Sequence, residues 1–175
     1  MVEFAVWGGE AAGSSPACPT IKDIMKKYWY DWDEMRKDVN VLCRDIVLDK
    51  FDPDCIVGLS RGGLTPGVMM SHWLKKPFKP IKTSLRDFPE WEDWMPRKTD
   101  KQVLIVDDIC DSGETFEKIA DFIKGRADHC DVRYASLWWN NEVEFEPHYY
   151  ARDVSKDTEQ LWIVFPWEHW WNAPV

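Results

Sequence analysis

Asp107, Asp108 and Asp111, followed by Ser112, Gly113, Glu114 and Thr115, are the residues of this chain whose types and spacing best suit chemistry on a phosphorylated molecule. Two adjacent acids lead into a short loop that carries a third acid, a hydroxyl, a glycine and a second hydroxyl. The loop runs straight into a helical pattern, in which Phe116, Ile119, Ala120 and Ile123 recur at the spacing of one face and Gly125 offers a stop. A turn entering a helix presents free backbone N–H groups and the positive end of the helix dipole, a setting suited to a phosphate. The element that must position these groups lies just before them. Val103-Leu104-Ile105-Val106 reads as a buried strand, since a parallel strand covered on both faces needs no polar alternation. Acids and loop therefore fall outside the carboxyl end of a strand, where open α/β sheets bind ligands.

A second turn stands upstream, about one βαβ unit earlier. Cys55-Ile56-Val57-Gly58-Leu59 reads as a short strand, followed by Ser60-Arg61-Gly62-Gly63. Gly62 and Gly63 permit backbone conformations and close approach denied to larger residues, and Arg61 adds a planar cation. Pro66 suits the first position of the helix expected over Val68, Met69, Met70, Trp73 and Leu74.

Elsewhere a helix is expected from a cap at Asp31 or Asp33 through Leu42 to Ile46, and Asp52-Pro53-Asp54 marks a turn. Val132 to Trp139 reads as a further strand. The chain holds twelve tryptophans, among them the doublets Trp138-Trp139 and Trp170-Trp171. Neighbours alternate across extended chain, so one member of each doublet is expected to meet a second surface, such as a dimer contact. Gly, Ala, Ser and Pro dominate residues 8–19, so residues 1–20 read as a flexible extension and residues 21–175 as a single domain.

Composition sets limits. No run approaches the length of a transmembrane helix, and no basic segment followed by an apolar one opens the chain as a secretory signal. Five scattered cysteines without a Cys-x-x-Cys pair fit a reducing compartment, and the cytoplasm is expected. A net charge of −9 argues against a general nucleic-acid binder. The four histidines show no metal-ligand spacing and read as structural or exposed.

The acid-rich segment resembles, over its whole length, the phosphoribosyl-pyrophosphate (PRPP) motif of the type I phosphoribosyltransferases: an apolar strand, two acids, two variable residues, then acid, hydroxyl, Gly, a variable residue and Thr or Ser. Ser60-Arg61-Gly62-Gly63 is similar to the family's pyrophosphate loop. Trp162-Ile163-Val164-Phe165-Pro166-Trp167-Glu168 resembles the closing segment of the 6-oxopurine branch, particularly the xanthine-guanine and archaeal hypoxanthine-guanine enzymes. Tyr30-Asp31-Trp32-Asp33-Glu34-Met35 resembles the opening helix of the bacterial xanthine-guanine enzymes. The resemblance runs roughly from Trp29 to Glu168.

It implies an α/β chain with the type I phosphoribosyltransferase fold: a central, mainly parallel sheet flanked by helices, with a small C-terminal hood for the base. It further implies an Mg²⁺-dependent transfer of the phosphoribosyl group of PRPP to a free purine, with release of pyrophosphate. In that scheme Ser60, Arg61, Gly62, Gly63 and Arg86 would hold the pyrophosphate. Asp107 and Asp108 would hold the ribose hydroxyls and help position the metal. Asp111 would accept the proton from N7 of the base, a transfer that contributes about 10² to 10⁴ in rate. Ser112, Gly113, Glu114 and Thr115 would cradle the 5′-phosphate, with Glu114 presenting only its backbone N–H. Thr83-Ser84-Leu85-Arg86-Asp87 occupies the place of the family's mobile catalytic loop. Ser84, Arg86, Arg97 and Lys98 suit pyrophosphate binding and a charged surface about equally.

By the same resemblance, Trp162 would stack on the purine and the Ile163 backbone would read its edge. Asn140 stands where relatives carry a lysine for the purine O6, so 6-oxo and 6-amino purines both stay open: an amide donates or accepts according to which way it turns. Trp167 and Glu168 read as structural. The partners implied are PRPP and a purine base, with neither nucleic acid nor membrane, in a homodimer or homotetramer. A regulator that binds PRPP or a nucleotide without turnover is the alternative on the same fold.

Overall fold

The computed structural model describes residues 26–82, 96–159 and 161–172. The expected N-terminal extension, Ser84 and Arg86 lie outside them. Five strands form one sheet in the order β3-β2-β4-β5-β6, where β2 is Cys55–Ser60, β3 Phe78–Lys82, β4 Gln102–Cys110, β5 Asp131–Asn140 and β6 Tyr149–Val154. Every neighbouring pair in it is parallel. This is the doubly covered sheet that the unbroken apolar run in β4 demands.

Two layers cover it. On one face Ile56, Leu104, Val106, Ala135 and Leu137 pack beneath helix α1 (Trp32–Leu48), and α2 (Leu64–Leu74) joins the same layer through Met70. On the other face Cys55, Val57, Leu59, Val103 and Ile105 pack against Phe116, Ile119 and Ile123 of α3 (Glu114–Ile123). Helix α1 forms because Met35, Val39, Leu42, Cys43 and Ile46 recur on one face, and Asp31 starts it with a reciprocal capping box. The Asp31 carboxylate accepts from the Glu34 N–H at 2.7 Å, and the Asp31 N–H donates to Glu34 Oε2 at 3.1 Å. Pro66 sits third in α2 rather than first, still within the turn where no intrahelical N–H is needed.

A second, two-stranded parallel sheet pairs β1 (Lys26–Trp29) with β7 (Leu161–Val164), in the register Lys26↔Leu161 to Trp29↔Val164. With residues 165–172 it forms the hood. Arg152 of β6 fastens the hood side to α1: its Nε lies 2.6 Å from Asp38 Oδ2, and its Nη1 2.9 Å from Glu34 Oε1 and 3.0 Å from the Tyr28 hydroxyl. Tyr30 donates to the same Asp38 carboxylate at 2.6 Å.

The first tryptophan doublet packs within one chain. Trp138 enters the α1-side core against Tyr28 and Tyr30, and Trp139 packs on Tyr150 while its Nε1 donates to the Phe145 carbonyl at 3.0 Å. The second surface expected of this doublet is the chain's own β5–β6 connection. Trp170 and Trp171 lie in a short 3₁₀ turn instead of extended chain, and both are exposed.

Candidate functional site

Strand β4 outruns its neighbour. β2 pairs with it only as far as Gly58↔Val106, so Asp107 and Asp108 emerge past the end of that ladder and meet the Ser60–Gly63 turn. The Ser60–Arg61 peptide is cis. A Cβ on Gly62 would stand 2.2 Å from the Asp108 carboxyl group, so glycine is what lets the turn lie against the acid. Arg61, Gly62 and Asp108 line a cleft of about 520 Å³ together with Trp167, Glu168, His169 and Trp171 of the hood. Trp167 and Glu168, which read as structural in the sequence, thus face the same space as Arg61. The Glu168 carboxylate also accepts from the Phe165 N–H at 3.3 Å, which closes its own turn.

Burial pushes the Asp107 carboxyl well above the usual range, and the neighbouring Asp108 adds to this, while main-chain N–H groups of Asp108 and Gly63 offset part of it. Asp108 is raised as well, first by burial and then by Glu168, against a hydrogen bond from the Ile109 N–H. Two acids held together at a cost to their charge form a site that gains from a divalent cation. No group of three or more His, Cys, Asp or Glu that could hold a metal ion occurs among the described residues. A hard cation here would therefore bind few protein oxygens and complete its shell with water and substrate, as Mg²⁺ prefers.

The loop after β4 encloses a small cavity of about 70 Å³, lined by Asp107, Asp111, Ser112, Gly113 and Thr115 among others. Gly113 takes φ +79° immediately before α3, a conformation that favours glycine, and a Cβ there would reach within 2.9 Å of Phe145 Cβ. The first N–H groups of α3 open onto this loop. Glu114 turns its carboxylate to Lys118 at 3.2 Å, which leaves the loop side to its backbone. Nothing in the sequence shows that Phe145, from the β5–β6 connection, would lie against Gly113 of this loop: its carbonyl accepts from Trp139 Nε1 and, at 3.6 Å, from the Cys110 thiol. Burial pushes that thiol up to about 12, with Asp107 and Asp111 contributing, so Cys110 is no nucleophile.

A third cavity, of about 240 Å³, lies under the hood between Asp108, Asp111, Lys156, Trp162, Ile163 and Phe165. Trp162 and Ile163 reach this cavity from β7. Lys156 opens the short helix α4 (Lys156–Glu159), and its Nζ lies 2.6 Å from Asp111 Oδ1 and 5.9 Å from the Trp162 ring centroid. Nothing in the sequence marks Lys156: it is a single lysine after a strand, and only the return of β6 beside β5 delivers it to Asp111. Asn140 is buried behind the loop. Its Nδ2 donates to the Asp111 carbonyl at 3.0 Å and its Oδ1 accepts from the Glu142 N–H at 3.3 Å, so the amide is engaged by main chain.

Arg97 lies at the opposite, amino-terminal end of the sheet. Its N–H donates to Asp100 Oδ2 at 2.8 Å and its carbonyl meets His129 Nε2 at 3.0 Å, just before β5 begins. No helix among the described residues is long and apolar enough to cross a membrane.

Comparison with known proteins agrees with this geometry. The family model described as "Phosphoribosyl transferase domain" matches residues 29–173. The xanthine-guanine phosphoribosyltransferase of Cereibacter sphaeroides is 28% identical over 159 residues, covering 82% of this chain and 87% of that protein. The crystal structure of a purine phosphoribosyltransferase from Pyrococcus horikoshii superposes with a TM-score of 0.70 at 29% identity, over 86% of this chain and 97% of that one. The Helicobacter pylori xanthine-guanine-hypoxanthine phosphoribosyltransferase shares the fold, with a TM-score of 0.71 at 22% identity over 82% of this chain and 95% of that one. The family model spans the parallel sheet, the acid pair, the glycine turn, the loop before α3 and the hood, and the chain belongs to the phosphoribosyltransferase family.

Proposed function

We propose that the protein transfers the phosphoribosyl group of PRPP to a free purine, with guanine, xanthine or hypoxanthine as the acceptor, and releases pyrophosphate. One observation carries the reading: acids form the shared walls of three adjoining cavities. Asp111 lines both the loop cavity and the aromatic cavity, and Asp108 lines both the aromatic cavity and the Arg61 cleft. A substrate with a phosphate at one end, a pyrophosphate at the other and a ribose between needs that division, with the base entering beside the ribose. The name of the Cereibacter relative and the Pyrococcus structure support a purine acceptor.

In the step proposed, the bond from the ribose anomeric carbon to the pyrophosphate oxygen breaks and a bond to the purine N9 forms. Positive charge builds on the ribose ring, as in glycoside chemistry. The proton on N7 passes to the Asp111 carboxylate, and pyrophosphate leaves with the bonding pair. Asp107 and Asp108 hold the ribose hydroxyls, Arg61 and the Gly62 main chain hold the pyrophosphate, and Ser112 to Thr115 hold the 5′-phosphate. Asp107 and Asp108 would hold Mg²⁺, which would supply neutralisation of the charge on the leaving pyrophosphate. The hood excludes water from the reacting carbon.

Pyrophosphate release with PRPP and Mg²⁺, measured with guanine, xanthine, hypoxanthine and adenine in turn, tests this. Turnover with a 6-oxopurine is the expected result. Saturable PRPP binding without turnover on any of the four would replace the enzyme by a sensor.

A further inference from the structure

We propose that the Ser136 hydroxyl is the hydrogen-bond donor set aside for the Asp107 carboxylate when PRPP is bound, which makes Ser136 a positioning residue of the ribose site. The inference rests on the PRPP-transfer reading above. It concerns a side chain to which that reading gives no part. Ser136 stands in the middle of β5 and is fully buried. Its Oγ has no hydrogen-bond partner, a condition that only Trp138 Nε1 shares among the buried side-chain polar atoms of the described residues. Its neighbours Ala135 and Leu137 are apolar, and a small apolar residue between them would fill the strand at less cost. Burying a hydroxyl without a partner is unfavourable.

The ladder shows what the hydroxyl faces. β5 pairs with β4 through Ile105↔Tyr134, Val106↔Ala135 and Asp107↔Ser136. Ile105 and Tyr134 pack in the core on the α3 side, Val106 and Ala135 in the core on the α1 side. Alternation therefore turns Asp107 and Ser136 to the α3 side together, as direct neighbours on strands about 4.8 Å apart. Asp107 needs donors. Its Oδ1 accepts from the Asp108 N–H at 3.0 Å, and main-chain N–H groups of Asp108 and Gly63 offset only part of the cost of burying its charge. An ionised carboxylate has about four acceptor positions, so room remains for a further donor beside the ribose hydroxyls. A serine hydroxyl swings about a single torsion. It rests unpartnered in the free protein and donates to Asp107 once bound ribose fixes the acid in place. That bond holds the carboxylate against β5 in the orientation that meets the ribose.

The test measures equilibrium binding of PRPP with Mg²⁺, and thermal melting without PRPP, on the wild type, Ser136→Ala, Asp107→Ala and the double variant. Ser136→Ala is expected to weaken PRPP binding about 10- to 100-fold, the scale of one hydrogen bond to a charged group. It should nevertheless melt at or above the wild-type temperature, because the hydroxyl it removes has no partner in the free protein. A hydroxyl with a merely structural role gives the reverse, a lower melting temperature with PRPP affinity unchanged, and that result overturns the proposal. Asp107→Ala leaves the Arg61 turn and the 5′-phosphate loop to bind PRPP. In that background Ser136→Ala is expected to cost little further affinity, since the acceptor is gone. An equal loss in both backgrounds overturns the proposal. A wild type that binds no PRPP overturns the PRPP-transfer reading, and the proposal with it.

Discussion

Asn140 Nδ2 donates a 3.0 Å hydrogen bond to the carbonyl oxygen of Asp111 and so ties the end of β5 to the loop after β4. The Asn140 side chain is buried and the bond partly so, and its loss takes a partner from the carbonyl behind the loop acid. Asn140→Ala is expected to lower stability by about 1–3 kcal/mol. It should also reduce kcat more than PRPP affinity, because it frees Asp111 and leaves the acid pair in place. Urea unfolding and steady-state kinetics check both.

Asp111→Asn keeps the size of the side chain and removes the proton acceptor. Turnover should fall by about 10² or more while PRPP binding holds. Unchanged turnover in pyrophosphate-release assays would remove Asp111 from the proton transfer.

Gly62→Ala places a methyl group where the Asp108 carboxyl lies, 2.2 Å from an ideal Cβ. Turn and acid must part. The KM for PRPP is expected to rise by about tenfold or more, equivalent to about 1.4 kcal/mol. An unaltered KM would mean that the turn does not contact the pyrophosphate.

Arg152→Met strips Asp38 and Glu34 of their shared cation and takes a planar group from above the Tyr30 and Trp138 rings, which lie 5.2 and 5.3 Å away. Breaking such a pair from one side leaves half-buried carboxylates without compensation, and a loss of about 3 kcal/mol is expected. Because the network joins α1, β1 and β6, the KM for the base should rise more than that for PRPP. Calorimetry and kinetics on one preparation read the two effects.

His148 gives the fold a pH dependence. Its ring stacks on Tyr134, its Nδ1 accepts from the Tyr134 N–H at 3.3 Å, and burial, then the nearby Arg133 cation, holds it below its ordinary value of 6.5, against Asp131 and Asp49. The unfolded chain thus takes up a proton at a higher pH than the folded one. The contribution is full above 6.5 and is lost as pH falls from there through the depressed folded value. Between pH 7 and pH 5 the wild type should lose more stability than His148→Gln. Parallel melting curves for the two proteins would count against this.

The residues around β4 were legible because local chain carries their whole meaning: an apolar run, two acids, a glycine that must take φ +79° and a helix start follow each other directly. The turn after β2 was legible for the same reason. Lys156 was not, since its place beside Asp111 depends on β6 running parallel to β5 and returning its end to the loop of Asp111, which no spacing encodes. Asn140 shows a related limit: the resemblance places it at the base, and in the fold its amide bonds to main chain, a partnership no spacing encodes. Arg97 and Trp139 show the same limit. A cation in a charged segment lands at the far end of the sheet, and a tryptophan expected to seek a partner finds the chain's own Phe145 carbonyl.

The pairing of β1 with β7 has a consequence in time. The turn after β2 and the loop before α3 are drawn from the middle of the chain, whereas residues 26–29 have no strand to join until residues 161–164 exist. Contacts so distant in sequence carry a large loop-closure cost and form late. A polypeptide growing from its amino end acquires the means to hold a phosphate well before it can tell one base from another. On the proposed reading, selectivity is the last property this molecule gains as it is made.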